Sequence, residues 1–467
     1  MKKDVTTGER KSSGRRGERE RRGGIGARRM NPNAAGIDIG SREHYVAVPP
    51  DRDAKPVRTF GCTTPDLHEM ARWLKACRVD TVAMESTGVY WIPVAQVLEQ
   101  HGLKVVLVDA RHLKNVPGRK SDVLDCQWLQ ELHLYGLLSG AFRPEPPIQV
   151  LRSYWRQREG VVASCAQQIH LMHKALEQMN VQLHKALSDV TGTSGMAMLR
   201  AIVAGERDAA TLARMRDWRV KRTEVEMIKA LTGNYRSEHV FALKQALAAY
   251  DFHQGQLAEL DVEIERCMRT FDTKADPATL SPAQTRRPRR KNQPHFDLRR
   301  ELHRVTGVDL TRIDGIAALT AQTVISEIGV DVNAFPTSKH FASWLTLCPN
   351  NQVTGGKVRS RHILGSANRV AHALRVAAQS LHHSRSALGA CFRRMRARLG
   401  APKAITATAH KLAVRIYHML RYGEAYVDQG EEIYEAQQRE RLTRSLKKRA
   451  KELGLELLDP ATGVVVS

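Results

Sequence analysis

Four carboxylates stand out by type and position: Asp38, Glu85, Asp122 and Asp125. Asp38 interrupts an apolar run, with Ile37 and Ile39 on either side in "GIDIGS". A buried carboxylate is costly unless it is paired or holds a metal. Glu85 closes "TVAMES", and Asp122 and Asp125 lie in "GRKSDVLDCQWL". If a helix starts near Ser121, a spacing of three puts both aspartates on one face. Gathered at one sheet edge, four carboxylates would repel one another, and divalent cations relieve that repulsion. Mg²⁺ prefers oxygen ligands, and two such ions about 4 Å apart stabilise attacking and leaving oxygens in phosphoryl transfer. Singly, each acid has a plainer reading. Asp122 suits a helix N-terminus, Glu85 can cap the helix after it, and Glu43 or Asp109 are local substitutes.

The elements that must position these acids read as α/β over residues 33–145. Strands are expected at 34–40, 43–49 and 57–62, followed by a helix over 64–77 with Thr64 as cap and Pro65 as first position. A strand over 81–86, a helix near 91–101, a strand over 104–110 and a helix from about 121 complete the unit. Hairpin-linked strands, then alternating helix and strand, is the ribonuclease-H-like order, which many α/β domains approach.

Residues 149–271 read as helical. Ile169, Met172, Leu176, Met179, Leu183 and Leu187 are spaced three or four apart, as are Val240, Leu243, Leu247 and Tyr250. Such stripes predict an antiparallel hairpin or a coiled-coil dimer arm. A proline-containing basic linker is expected over 272–300, with Arg286, Arg287, Arg289, Arg290 and Lys291. A second, mostly helical domain follows over 301–425, then a charged tail over 426–467. Residues 1–30 form a basic arm too polar for a core and expected to be disordered. Residues 1–29 read either as a nucleic-acid-binding arm or as an over-extended reading frame ahead of Met30.

Net charge is +24 with a pI near 10.0. From Val332 to Gly423 there is no Asp or Glu but fifteen Lys or Arg, which points to a polyanion partner. No apolar run is long enough for a transmembrane span, so no membrane partner is expected. Seven dispersed cysteines without a CxxC pair fit reduced thiols in a cytoplasm. Aromatic residues make up 5% of the chain, which argues against stacking platforms for single strands and for recognition of duplex by shape and charge.

"GIDIGS", "MESTGVYW" and "KSDVLD", in this order, resemble the RuvC-like domain of DEDD insertion-sequence transposases, the insertion sequence one-ten family with its eleven-eleven branch. Residues 313–381, from "IDGIAALTAQTVISEIG" through "VTGGKVRSRH", are similar to that family's second, transposase domain. The resemblance covers about 34–145 and 305–425. It implies a RuvC-like DEDD domain at 31–148, a coiled-coil segment, and a bacterial DNA recombinase that is cytoplasmic and nucleoid-associated when active. It implies homo-oligomers, dimer or tetramer, that work with an element-encoded guide RNA on donor and target DNA. The four acids then bind Mg²⁺. A serine of the second domain forms a covalent DNA intermediate in this family; the matching residue here is Thr354. Threonine also carries a hydroxyl. Ser360 as a replacement and a catalytically weakened copy stay open beside it.

Around Thr354, Gly355 and Gly356 would let backbone N–H groups approach a phosphate. Lys357, Arg359, Arg361 and Arg369, with Lys120 of the first domain, are the expected nucleic-acid contacts. Gly315 is the expected turn of a helix-hairpin-helix-like element, although Ala317 takes the place of its second glycine. Arg393, Arg394, Arg396 and Arg398 are expected to bind nucleic-acid backbone. His382 and His383 are expected to be surface residues or phosphate contacts, not a zinc site. Two alternatives differ in class: a RuvC-like nuclease that cuts branched DNA by two-metal hydrolysis, and an inactive nucleic-acid-binding transposon relic.

Overall fold

The structure is a computed structural model that describes residues 29–86, 88–108, 122–281, 292–355, 357–362, 368–458 and residue 465. The N-terminal arm, Asp109, Lys120, Gly356 and the basic cluster 286–291 lie outside the described residues. So do the side chains of Asp122, Arg359, Ser360 and Arg361. Contacts divide the chain into two compact units, 1–143 and 144–467.

The first unit is a five-stranded sheet in the order β3-β2-β1-β4-β5. Its strands are β1 (Ala34–Ile39), β2 (Glu43–Ala47), β3 (Val57–Gly61), β4 (Thr81–Glu85) and β5 (Lys104–Val108). The first three form an antiparallel meander, while β4 and β5 run parallel to β1. This is the ribonuclease-H-like arrangement that the sequence order implied. On one face, Ala35, Ile37 and Ile39 join a buried core with Leu67, Met70 and Leu74 of α1 (Thr64–Ala76) and Val94 and Leu98 of α2 (Trp91–Gln100). The cap of α1 falls one residue earlier than expected. Asp66 Oδ2 accepts from the Thr63 backbone N–H (3.1 Å) and hydroxyl (2.5 Å), closing the first turn around Thr63. The other face carries α3 (Asp122–Leu134).

The second unit is mostly helical. Its spine is an antiparallel pair, α4 (Pro146–Gln178) and α5 (Ser237–Arg269). The apolar stripe of α4 does not run on through Leu183 and Leu187. The chain leaves the helix at Asn180, whose φ of +53° lies in the left-handed region that Asn tolerates. Leu183 and Leu187 instead join a distal core with helices Thr193–Ala204, Ala209–Arg214 and Glu224–Leu231. Midway along the pair, buried Arg158 donates to Asp261 Oδ1 at 2.6 Å and to the Asn292 carbonyl at 3.0 Å. His295 N–H also reaches Asp261, so the chain beyond the basic linker is tied to the spine rather than loose.

Beyond it come α6 (Leu298–Thr306), α7 (Ala318–Ile328), α8 (Ser338–Trp344), a β-hairpin of β6 (Asn350–Thr354) and β7 (Lys357–His362), then α9 (Arg369–Ser380), α10 (Ala387–Leu399), α11 (Ala401–Tyr422) and α12 (Gly430–Glu452). Helix α7 is locked to α4 by Arg156, whose guanidinium grips both Glu327 oxygens at 2.8 and 2.7 Å.

Candidate functional site

Strand alternation puts Ala34, Gly36 and Asp38 on the face of β1 opposite the α1–α2 core. That face is where α3 lies. A Cβ built on Gly36 would stand 2.3 Å from the Cys126 carbonyl oxygen and 2.4 Å from the Gln130 backbone nitrogen. Only a residue without a side chain lets helix backbone rest on strand backbone this closely. The seat is fixed further along α3. Gln130 donates to the Ala34 carbonyl at 3.3 Å, and the His133 ring meets the Thr81 hydroxyl at 2.9 Å. Burial holds His133 below its ordinary pKa, which keeps the ring neutral.

Helix α3 therefore delivers its N-terminal turns to the end of β1 that carries Asp38. Cys126 is fully buried between them. Its thiol is pushed up to about 12, by desolvation first, then by the negative charge of Asp38 and, more weakly, of Asp125. Both carboxylates thus bear on one sulfur. Glu85 comes from the neighbouring strand. The parallel register pairs Ile37 with Met84, so the next positions, Asp38 and Glu85, stand side by side at about one strand spacing of 4.8 Å. Asp38 and Glu85 are half-buried and Asp125 is exposed. Asp122 is the first residue of α3, one turn ahead of Cys126.

So Asp38 and Glu85 stand side by side at the C-terminal ends of β1 and β4, and α3 begins on the same face with Asp122 and Asp125 in its first turns. Their donors are carboxylate oxygens, which suit a hard divalent cation. Among the described residues, which do not include the Asp122 side chain, no three acidic, histidine or cysteine side chains form a metal-binding cluster. Glu43, the local substitute, is exposed and accepts from the Tyr45 hydroxyl at 2.7 Å.

In the second unit, Thr354 ends β6 and pairs with Lys357 across a two-residue loop. Gly355 adopts φ +57°, as the first residue of such a tight hairpin requires. Thr354, Gly355 and Lys357 are all exposed. Beyond Lys357 the register shifts between Gln352 and Val353, so alternation from Lys357 does not carry through to 359 and 361: position 360 pairs with Gln352, two residues before Thr354, and position 361 pairs with Asn351. Lys357 is the cationic position that this pairing sets directly opposite Thr354.

Of the other expected contacts, Arg396 and Arg398 are exposed, while three are already engaged. Arg369 is ion-paired with Glu159 of α4. Arg393 donates to the His382 and Ser384 carbonyls and pairs with Glu431 of α12, while Arg394 binds Gln438 at 2.6 Å. Gly315 does make a left-handed turn (φ +85°), but a Cβ there would strike the Ala377 carbonyl oxygen at 2.9 Å. Its missing side chain lets the turn pack on α9, which is a reason for glycine independent of phosphate. The His382 and His383 rings lie beside each other in a short turn, with centroids 4.7 Å apart. Sequence reasoning missed Gly36, Cys126 and Gln130. The only signal was a glycine in mid-strand, which reads equally as a bulge.

A family model described as a DEDD transposase of the IS110 type matches residues 35–181. A second, described as a transposase of the IS116/IS110/IS902 family, matches residues 309–391. The chain belongs to the IS110 family of DEDD transposases. No curated protein matches it. The transposase is thus an enzyme that recombines DNA. Its first match carries all four acids, and its second carries Thr354 and the cationic hairpin. Residues 182–308, which include the far end of the helical pair, lie outside both. Among the described residues no helix of this transposase is long and apolar enough to cross a membrane.

Proposed function

We propose that this transposase cuts and rejoins DNA with Mg²⁺ held by Asp38, Glu85, Asp122 and Asp125, the Thr354 hydroxyl as nucleophile, and an element-encoded RNA as guide. The observation that carries this reading is the Gly36 contact, which seats α3 on β1 and so brings Asp125 to the edge shared by Asp38 and Glu85. When bound, the cation stabilises the oxygens that gain charge during phosphoryl transfer. The chain's own groups do the rest. Thr354 Oγ bonds to phosphorus as the bond to a deoxyribose oxygen breaks. The threonine proton passes to solvent and the leaving oxygen takes one up. Attack by a new strand end on the phosphothreonine ester reverses the step and rejoins the DNA. Lys357, with positions Arg359 and Arg361, holds the phosphate by charge. Lys120, Gly355 and Gly356 keep their expected roles as nucleic-acid contacts, and Arg369 joins them only by leaving Glu159.

A homo-oligomer is supported by an exposed apolar stripe on α5: Phe241, Phe252 and Val262, with Ala248 and Gly255 between them. Such a face suits a second copy in coiled-coil packing. Delegating sequence choice to RNA pairing leaves the protein to read shape and charge, which agrees with its net charge of +24.

A cleavage assay on element-junction DNA, with the flanking RNA and Mg²⁺ or EDTA, tests this. Asp38→Asn, Glu85→Gln and Asp125→Asn are each expected to slow cleavage by on the order of 100-fold or more, since metal stabilisation amounts to several kcal/mol. Cleavage at full rate in EDTA, or in all three variants, would remove the metal-dependent reading.

A further inference from the structure

Trp218 is 89% exposed, the highest value among the exposed large apolar side chains of the described residues. It sits in "RMRDWRVKR", residues 214–222, where five cations accompany one acid. Its exposure does not come from a loose loop. Asp217 N–H donates to the Ser194 hydroxyl at 2.8 Å, Val220 N–H to the Asp217 carbonyl at 3.0 Å, and Arg216 to the Arg222 carbonyl at 3.1 Å. Met215 and Val220 pack on the distal core of the helical pair. The loop is held on both sides of the indole, which faces outward with the Arg219 guanidinium 5.9 Å from its ring centre.

Beside it opens a groove of about 670 Å³, lined among others by Lys185, Arg219, Lys221 and Arg222 together with two acids, Asp189 and Asp217. Arg219 is forked onto Asp217 and Arg222 is paired with Glu226. Lys185 and Lys221 are exposed and make no ion pair among the described residues. Protein interfaces concentrate tryptophan and arginine but are depleted of lysine, so these two lysines of the groove, rather than the arginines, favour a polyanion. A flat π-face beside free ammonium groups matches a base and its neighbouring phosphates.

We propose that this end of the helical pair binds a single-stranded polynucleotide, with one base stacked on Trp218 and phosphates on Lys185 and Lys221. The scarcity of aromatics across the chain argued against stacking platforms, but one placed indole suffices for one base. The proposal adds a holding point to the guided-recombinase reading and rests on it only for where the strand comes from.

The test uses the intact chain in EDTA, so that metal-dependent chemistry at the acids does not enter. Fluorescein-labelled oligouridine and oligothymidine are titrated by anisotropy over a salt series, and oligomers carrying iodinated bases are photo-crosslinked and mapped. The expected cross-link falls on the peptide containing Trp218. Trp218→Ala is expected to weaken binding by about fivefold or more, as loss of one stacked base does, and Trp218→Phe to restore most of it. Lys185→Ala combined with Lys221→Ala should lower the slope of log affinity on log salt by about 1.4, since each phosphate contact on a single strand contributes about 0.7. Tighter oligouridine binding assigns the strand to RNA, tighter oligothymidine binding to DNA. Unchanged affinity and slope with cross-links elsewhere would overturn the site. So would a Trp218→Ala chain that binds normally but changes assembly mass in light scattering, which would make the indole a contact between copies.

Discussion

An alanine methyl at position 36 would meet helix backbone at 2.3 and 2.4 Å, and neither contact is a side chain that can swing away. The methyl must push α3 off β1. Overpacking of this kind costs about 1–3 kcal/mol. Gly36→Ala should therefore lower the denaturation midpoint by a corresponding amount. It should also slow cleavage by the folded fraction, because Asp125 travels with the helix. Chemical denaturation and cleavage on the same preparation check both, and a variant unchanged in each would refute the helix seat. At this scale the acids were legible, since a carboxylate between Ile37 and Ile39 demands a reason. Gly36 was not, because a strand glycine carries no mark of what approaches it. Thr354 was legible only through the family resemblance; the register then set Lys357 opposite it and showed a bulge further along the hairpin, which no spacing in the sequence announces.

Among the elements, the loop joining β2 to β3 is pinned to α1 through a single carboxylate. Asp53 accepts from the Trp73 indole at 2.9 Å, the Lys55 N–H at 2.7 Å and Arg58 at 2.7 Å. These bonds, Trp73 first, hold its pKa at about 2 against an ordinary 3.8. A carboxyl depressed on folding stabilises fully above its unfolded pKa and loses that contribution as pH falls through the folded one. Asp53→Asn should lower the melting temperature at neutral pH, with a gap to the parent that narrows below about 4 and closes near 2. Thermal unfolding across that range checks the sign; a gap that widened in acid would contradict it. Strands and helices of this unit were readable from apolar period and punctuation, to within a residue or two. The end of α4 was not, because Leu183 and Leu187 keep helical spacing after the backbone has turned at Asn180. Spacing reports burial, and a second small core satisfies it as well as a longer helix does.

For the molecule as a whole, charge pointed to nucleic acid before any residue was assigned a role. It did not tell which cations remain available. Arg369, Arg393 and Arg394 belong to the acid-free stretch, yet they bind Glu159, Glu431 and Gln438, acceptors that lie outside that stretch in the sequence. Lys357, Arg396, Arg398 and the tip around Trp218 are among the described places where charge faces out. The central claim is that a hydroxyl and a set of carboxylates share one strand-transfer reaction. The most direct measurement is to trap it: incubate the protein with its flanking RNA, Mg²⁺ and labelled junction DNA, denature, and map any protein–DNA adduct. The account predicts an adduct on Thr354 that persists in Thr354→Ser and disappears in Thr354→Ala and Asp38→Ala. Cleavage without an adduct, at an unchanged rate in Thr354→Ala, would contradict it and leave water as the nucleophile.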